Sequence, residues 1–239
     1  MRIARACGTG YRDQGRCKHD SDAKNANCKD NGRRAVRGIA AAKQDRANDF
    51  ARRGPVFRNG PARVTRLAAI LAGGQSRRFG SDKALAVWEG QPLIVHAAAV
   101  LARHSDEVIV CGRSHSPLTL THLRDRPAPG LGPLGGLCAA LHYAAEAGHD
   151  AVLSLGCDMP RLDDRLLDRL CRPGPGRYLI EAPIIGCWPA ALAGPLADYL
   201  LEGRDRAVWR WAAQAGMEGI EAGVPLANLN TPADLAALR

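Results

Sequence analysis

The chain has 239 residues, long enough to bury a sizeable core in one or two domains, and a formal net charge of +9. That charge divides unevenly: residues 1–63 hold 16 Lys+Arg against 6 Asp+Glu, a balance of +10, leaving 17 against 18, a balance of −1, for residues 64–239. A nucleic-acid binder needs a basic face on its folded part, and a membrane protein needs a long apolar run, so a nearly neutral folded part without such a run argues against both.

Residues 1–63 are rich in Arg, Asp, Asn and Gly and keep no apolar period, so they read as a disordered basic leader without a catalytic role, of the kind a misassigned start would produce. The longest apolar stretch there, Ile39-Ala-Ala-Ala42, is too short for a signal peptide. Cys7, Cys17 and Cys28, with His19, lack the paired spacing of a zinc set. A basic nucleic-acid adaptor would rest on this leader alone.

The folded part opens with Arg66-Leu-Ala-Ala-Ile-Leu-Ala72, apolar without alternation, as a strand buried on both faces of a parallel sheet should be. It runs into Gly73-Gly-Gln-Ser-Arg-Arg-Phe-Gly-Ser-Asp-Lys83. Gly73 and Gly74 let backbone N–H groups approach an anion, and Arg77, Arg78 and Lys83 add positive charge. The plain alternative is a strand-to-turn junction with solvated basic residues. A phosphate loop is the better reading because glycines, hydroxyl and cations all follow a buried strand, although neither the Walker A order nor the dinucleotide fingerprint occurs.

Downstream, residues 92–103 predict a helix containing His96 on its core side or face, and 107–111 a strand ending at Cys111. The loop 125–136, Asp-Arg-Pro-Ala-Pro-Gly-Leu-Gly-Pro-Leu-Gly-Gly, reads either as ligand-facing or as a crossover turn capping the next helix; Asp125 could equally pair with Arg124 or Arg126. A helix over 133–146, closed by Gly148, precedes a strand over 151–155. Asp158 then sits past a strand end, where a carboxylate would hold Mg²⁺ against phosphates, or would instead cap the helix expected over 163–171. Residues 178–185 are expected to be extended and 194–201 and 206–215 helical, with Trp209 and Trp211 packed in the core. Asn228 and Asn230 would face one side of an extended segment, as ligand contacts or as turn formers, before a last helix opened by Thr231 and Pro232. Cys111, Cys138, Cys157, Cys171 and Cys187, scattered among apolar residues, read as reduced, mostly buried thiols of a cytoplasmic protein. The alternation predicts an α/β fold: a doubly wound, mostly parallel Rossmann-like sheet with helices on both faces and its site at the strand C-termini.

Four motifs in this order, Leu71-Ala-Gly-Gly-x-Ser-x-Arg-x-Gly-x-Asp-Lys83, Gly132-Pro-Leu-Gly-Gly136, Cys157-Asp-Met-Pro160 and Asn228-Leu-Asn-Thr-Pro232, resemble the molybdenum cofactor guanylyltransferase (MobA) family. The first motif marks the wider nucleotidyltransferase superfamily, and the last marks the narrower family. The resemblance covers residues 66–238 and implies one nucleotidyltransferase domain over 64–239, with the fold of nucleotide-diphospho-sugar transferases. It implies GTP-binding positions at Leu71, Ala72, Gly73, Gly74, Lys83, Cys111, Asp125 and Asp158. Arg78, Lys83 and Asp158 would be catalytic, Asp158 would be the Mg²⁺ ligand, and Arg206, Asn228 and Asn230 would lie on the molybdopterin side. Cys111 stands where many members carry an asparagine, and residues 178–189 are compressed where many relatives have a longer hairpin. The implied reaction joins GTP and molybdopterin, with molybdoenzymes or their chaperones as recipients. A cytidylyltransferase acting on the same cofactor, or a carrier of molybdopterin or nucleotide without chemistry, are the alternatives.

Overall fold

The computed structural model describes residues 63–73, 82–229 and 231–237. The expectations for the leader, including its cysteines, therefore lie outside the described residues. In chain order the elements begin with β1 (Arg66–Leu71), a 3₁₀ turn at Lys83–Leu85, and the short strands β2 (Val87–Trp88) and β3 (Gln91–Pro92). Next come α1 (Leu93–Ala102), β4 (Glu107–Cys111), β5 (Thr121–Leu123), α2 (Pro133–Ala147) and β6 (Ala151–Gly156). The remainder is α3 (Asp164–Leu170), β7 (Arg177–Leu179), β8 (Gly186–Pro189), α4 (Ala193–Leu201), α5 (Val208–Gln214), β9 (Glu218–Ile220) and α6 (Pro232–Ala237).

Seven strands form one sheet in the order β5-β4-β1-β6-β8-β7-β9. Every pairing is parallel except the two made by β8, which runs against both β6 and β7. This is the mostly parallel, doubly wound sheet that the strand and helix alternation predicts. Both faces of β1 are covered: Leu67, Ala69 and Leu71 pack toward α2, α4 and α5, whereas Ala68 and Ile70 pack toward α1 and α3. That explains an apolar run without alternation, since neither face meets water. The chain leaves β1 toward β4 and β5, then returns on the other side through β6, so the crevice opens where the winding reverses.

Helix ends follow their local chemistry. Gly148 closes α2 in the left-handed conformation, at φ 77°, and Asp163 caps α3 by accepting the Arg165 N–H at 2.9 Å. Ahead of α6 a reciprocal cap forms: the Asp234 N–H donates to Thr231 Oγ1 at 3.2 Å, and the Thr231 N–H donates to Asp234 Oδ2 at 2.7 Å.

Two expectations are corrected. Residues 178–185 are not one extended run; β7 ends at Leu179 and the chain folds back through a turn into β8, with Tyr178 opposite Gly186. A Cβ at Gly186 would stand 2.9 Å from the Trp188 indole and from the Arg177 carbonyl, so the turn-back needs glycine there. Trp211 is buried as expected, but Trp209 is 51% exposed, with the Arg210 guanidinium 5.0 Å above its ring. The two tryptophans are two residues apart, which on a helix places them on different faces.

The antiparallel junction of β6 and β8 contains Ser154, the fully buried polar residue of the sheet. Its Oγ donates to the Ile184 carbonyl at 2.6 Å and accepts the Trp188 Nε1–H at 2.8 Å. Ser154→Ala removes both bonds and leaves a buried indole N–H and a carbonyl unsatisfied, so it is expected to destabilise the chain by about 1–3 kcal/mol. Urea titration should show this as a lower midpoint at unchanged m-value.

Candidate active site

Parallel pairing sets Leu71 level with Cys111 on one side and with Gly156 on the other. The three strands therefore end together, and their exits line a cleft of about 300 Å³. Leu71, Ala72, Gly73, Lys83, Cys111, Asp125 and Asp158, all predicted from sequence, line it. Gly74 and Arg78 lie outside the described residues, as does Asn230.

Backbone proximity shapes the floor. The Ala72 N–H donates to the Cys111 carbonyl at 3.0 Å, extending the β1–β4 ladder by one bond. Gly112 then adopts φ 82°, and a Cβ on it would stand 2.6 Å from Gly73 Cα. Only glycine permits both the left-handed backbone and this contact between the two loops.

Lys83 and Asp158 meet on one wall of the cleft, with Nζ 3.3 Å from Oδ2; their side chains are 13% and 29% exposed. Gly156 makes room for the carboxylate, because a Cβ there would meet Asp158 Oδ1 at 2.4 Å. Asp163 caps α3, so Asp158 is not the helix cap that its position also allowed. Its backbone carbonyl accepts the Leu229 N–H at 3.0 Å. That bond draws the C-terminal motif alongside the Asp158 loop, while Leu229 buries itself with Trp88 and Leu93.

Asp125 lies on the opposite wall. Burial raises its pKa above the usual carboxylate value, and the N–H groups of Gly130 and Leu131 oppose that rise. Neither neighbouring arginine is its hydrogen-bond partner; Arg126 pairs with Glu146 at 3.3 Å. The Cβ and carboxyl carbon of Asp125 sit 2.9 and 3.0 Å from where a Gly135 Cβ would be, so the glycines of this loop accommodate the acid. The loop caps α2 through Gly132, as a crossover turn would, and also lines the cleft. Cys111, buried beside Asp125, has its thiol pKa pushed up to about 12, chiefly by burial and then by that carboxylate. Cys157 rises to about 11, burial again dominating, with Lys83 and Arg113 opposing it. Both are neutral thiols at physiological pH.

A second cleft, of about 510 Å³, is lined by Met159, the residue after Asp158, and by Glu181, Glu221, Leu226 and Asn228 among others. Arg206 is not brought to it: its guanidinium donates to the Gly130 carbonyl at 3.1 Å, on the Asp125 loop. Sequence reasoning missed Arg113, which reaches Asp82 from just past β4. The available signal was a cation two residues beyond a strand end facing the crevice. It also missed the acids Glu181 and Glu221, which lie in segments without motif.

The MobA-like NTP transferase domain matches residues 68–215. The molybdenum cofactor guanylyltransferase of Cereibacter sphaeroides is 37% identical over 182 residues, covering 70% of this chain and 92% of that protein. A probable molybdenum cofactor guanylyltransferase of Synechococcus elongatus is 34% identical over 191 residues, covering 72% and 97%. Among solved structures, molybdopterin-guanine dinucleotide biosynthesis protein A from Archaeoglobus fulgidus shares the fold, with a TM-score of 0.59 at 19% identity over 72% of this chain and 95% of that one. With its glycine-lined cleft, its Lys83–Asp158 pair and these relatives, the chain belongs to the molybdenum cofactor guanylyltransferase family of MobA-like nucleotidyltransferases.

Proposed function

We propose that the chain transfers GMP from GTP to the terminal phosphate of molybdenum-bearing molybdopterin, forming the guanine dinucleotide form of the cofactor and releasing pyrophosphate. The observation that carries this reading is the meeting of Lys83 and Asp158 in a glycine-floored cleft. A triphosphate in that cleft and an acceptor phosphate would come together at that pair.

An acceptor oxygen attacks the α-phosphorus of GTP while the bond to the pyrophosphate oxygen breaks, so the protein must position and neutralise rather than supply a nucleophile. The donors fit Mg²⁺: it favours hard oxygens, typically one or two carboxylates plus substrate phosphates, and Asp158 is a partly exposed carboxylate at a strand end. Asp158 would hold the metal, which when bound neutralises phosphate oxygens. Lys83, ion-paired with Asp158 in the free chain, turns to the phosphates, and Arg78 adds a second cation. The backbone from Leu71 to Gly74 approaches the triphosphate through its N–H groups. Asp125 and Cys111 face the nucleoside, Asn228 and Asn230 the acceptor, and Arg206 steadies the nucleoside loop through Gly130. Molybdoenzymes or their chaperones would receive the product. A cytoplasmic setting is supported by five free cysteines among the described residues, none of whose helices is long and apolar enough to cross a membrane.

Asp158→Ala is expected to abolish magnesium-dependent pyrophosphate release while circular dichroism stays unchanged; near-normal turnover would remove its assigned role. Replacing Asn228 and Asn230 together should weaken molybdopterin binding more than GTP binding, and equal loss of both would make the motif structural. With Mg²⁺ present, GTP at a hundredfold excess over Kd should raise Tm by roughly 5–10 °C, with CTP, ATP and UTP giving less. A larger shift with CTP would reassign the base.

A further inference from the structure

Arg113 has no place in the reading above, yet it is one of the most enclosed cations of the cleft region, its side chain 13% exposed. It follows Gly112, whose backbone rests against Gly73 at the start of the phosphate loop. From there its guanidinium crosses to Asp82 at the loop's other end, bonding Oδ2 through Nη2 and approaching Oδ1 at 3.5 Å through Nη1. Its Nε is buried with no hydrogen-bond partner, so its described hydrogen bonds all go to Asp82. Asp82 also accepts the Ala84 N–H at 3.1 Å, capping the 3₁₀ turn that carries Lys83.

We propose that Arg113 is a positioning residue for the turn that carries Lys83: it clamps Asp82, the cap of that turn, and neutralises an acid standing beside a triphosphate site. The inference rests on the reading of this cleft as a nucleotide site. Asp82 is needed to cap the turn that aims Lys83, but its negative charge opposes an anionic ligand. The guanidinium resolves that conflict, since a fork on one carboxylate fixes geometry and cancels charge together. Removing Arg113 leaves a carboxylate uncompensated beside the phosphates and loosens the cap of the turn that aims Lys83.

The test uses the full chain with inorganic tripolyphosphate and Mg²⁺ as the probe, measured by calorimetry, so that it does not depend on the base or the acceptor. Arg113→Ala and the polar but uncharged and shorter Arg113→Gln should each weaken tripolyphosphate binding about tenfold or more, with Arg113→Lys in between. Adding Asp82→Asn, which removes the charge but keeps a capping oxygen, should restore most of the lost affinity. In turnover, Arg113→Gln should raise KM for GTP by a larger factor than it lowers kcat. Wild-type-like binding by both Arg113→Ala and Arg113→Gln, or a double variant no better than the single one, would overturn the clamp. Absence of guanylyl transfer by the wild-type chain would instead count against the functional reading while leaving the tripolyphosphate result to judge the clamp.

Discussion

Everything at the site depends on the pairing register of the central strand. β1 is buried on both faces and hydrogen-bonded on both edges, with Leu71 opposite Cys111 and Gly156. A slip of one residue on either side would turn Leu67, Ala69 and Leu71 into the layer that fits Ala68 and Ile70, so the register is strongly specified. Because it holds, the glycine loop, Gly112 and the Asp158 loop leave the sheet at one level. The cleft is the space between those exits.

Electrostatics then divides the cleft. On one wall, Lys83 and Asp158 satisfy each other, an arrangement that keeps two partly buried charges paired until a ligand offers each a better partner. On the other wall, Asp125 is held by backbone N–H groups and surrounded by glycines, with the neutral thiol of Cys111 at its side. The first wall suits phosphate and metal, and the second suits a polar, uncharged ring or sugar. Asp82, paired with Arg113, lines the cleft beside Lys83.

The sheet was legible in the sequence because its signals are local. Strand β1 lacks alternation, α2 begins at a proline and ends at Gly148, and α3 and α6 carry their caps beside them. The turn inside 178–185 was not, because its apolar content resembles a strand and the decisive feature, the contact of Gly186 with Trp188 and Arg177, is tertiary. Strand β9 was missed for the same reason: Glu218-Gly-Ile220 has little strand pattern of its own and is held by pairing with β7. At the clefts, residues inside motifs could be read from the chain, whereas Arg113, Glu181 and Glu221 are brought there from unremarkable segments. Asp158 shows the intermediate case. Its sequence position allowed a metal ligand or a helix cap, and only the observation that Asp163 fills the cap removed the second.

In the proposed reaction the Lys83–Asp158 pair opens to receive a metal-bound guanosine triphosphate. A crystal structure of the full chain with Mg²⁺ and the non-cleavable α,β-methylene analogue of GTP tests it most directly. The account predicts a magnesium ion on the Asp158 carboxylate, Lys83 Nζ moved onto a phosphate oxygen, and the triphosphate along the loop that starts at Gly73. A triphosphate bound elsewhere, or one bound here with the Lys83–Asp158 contact intact and no metal on Asp158, would contradict it.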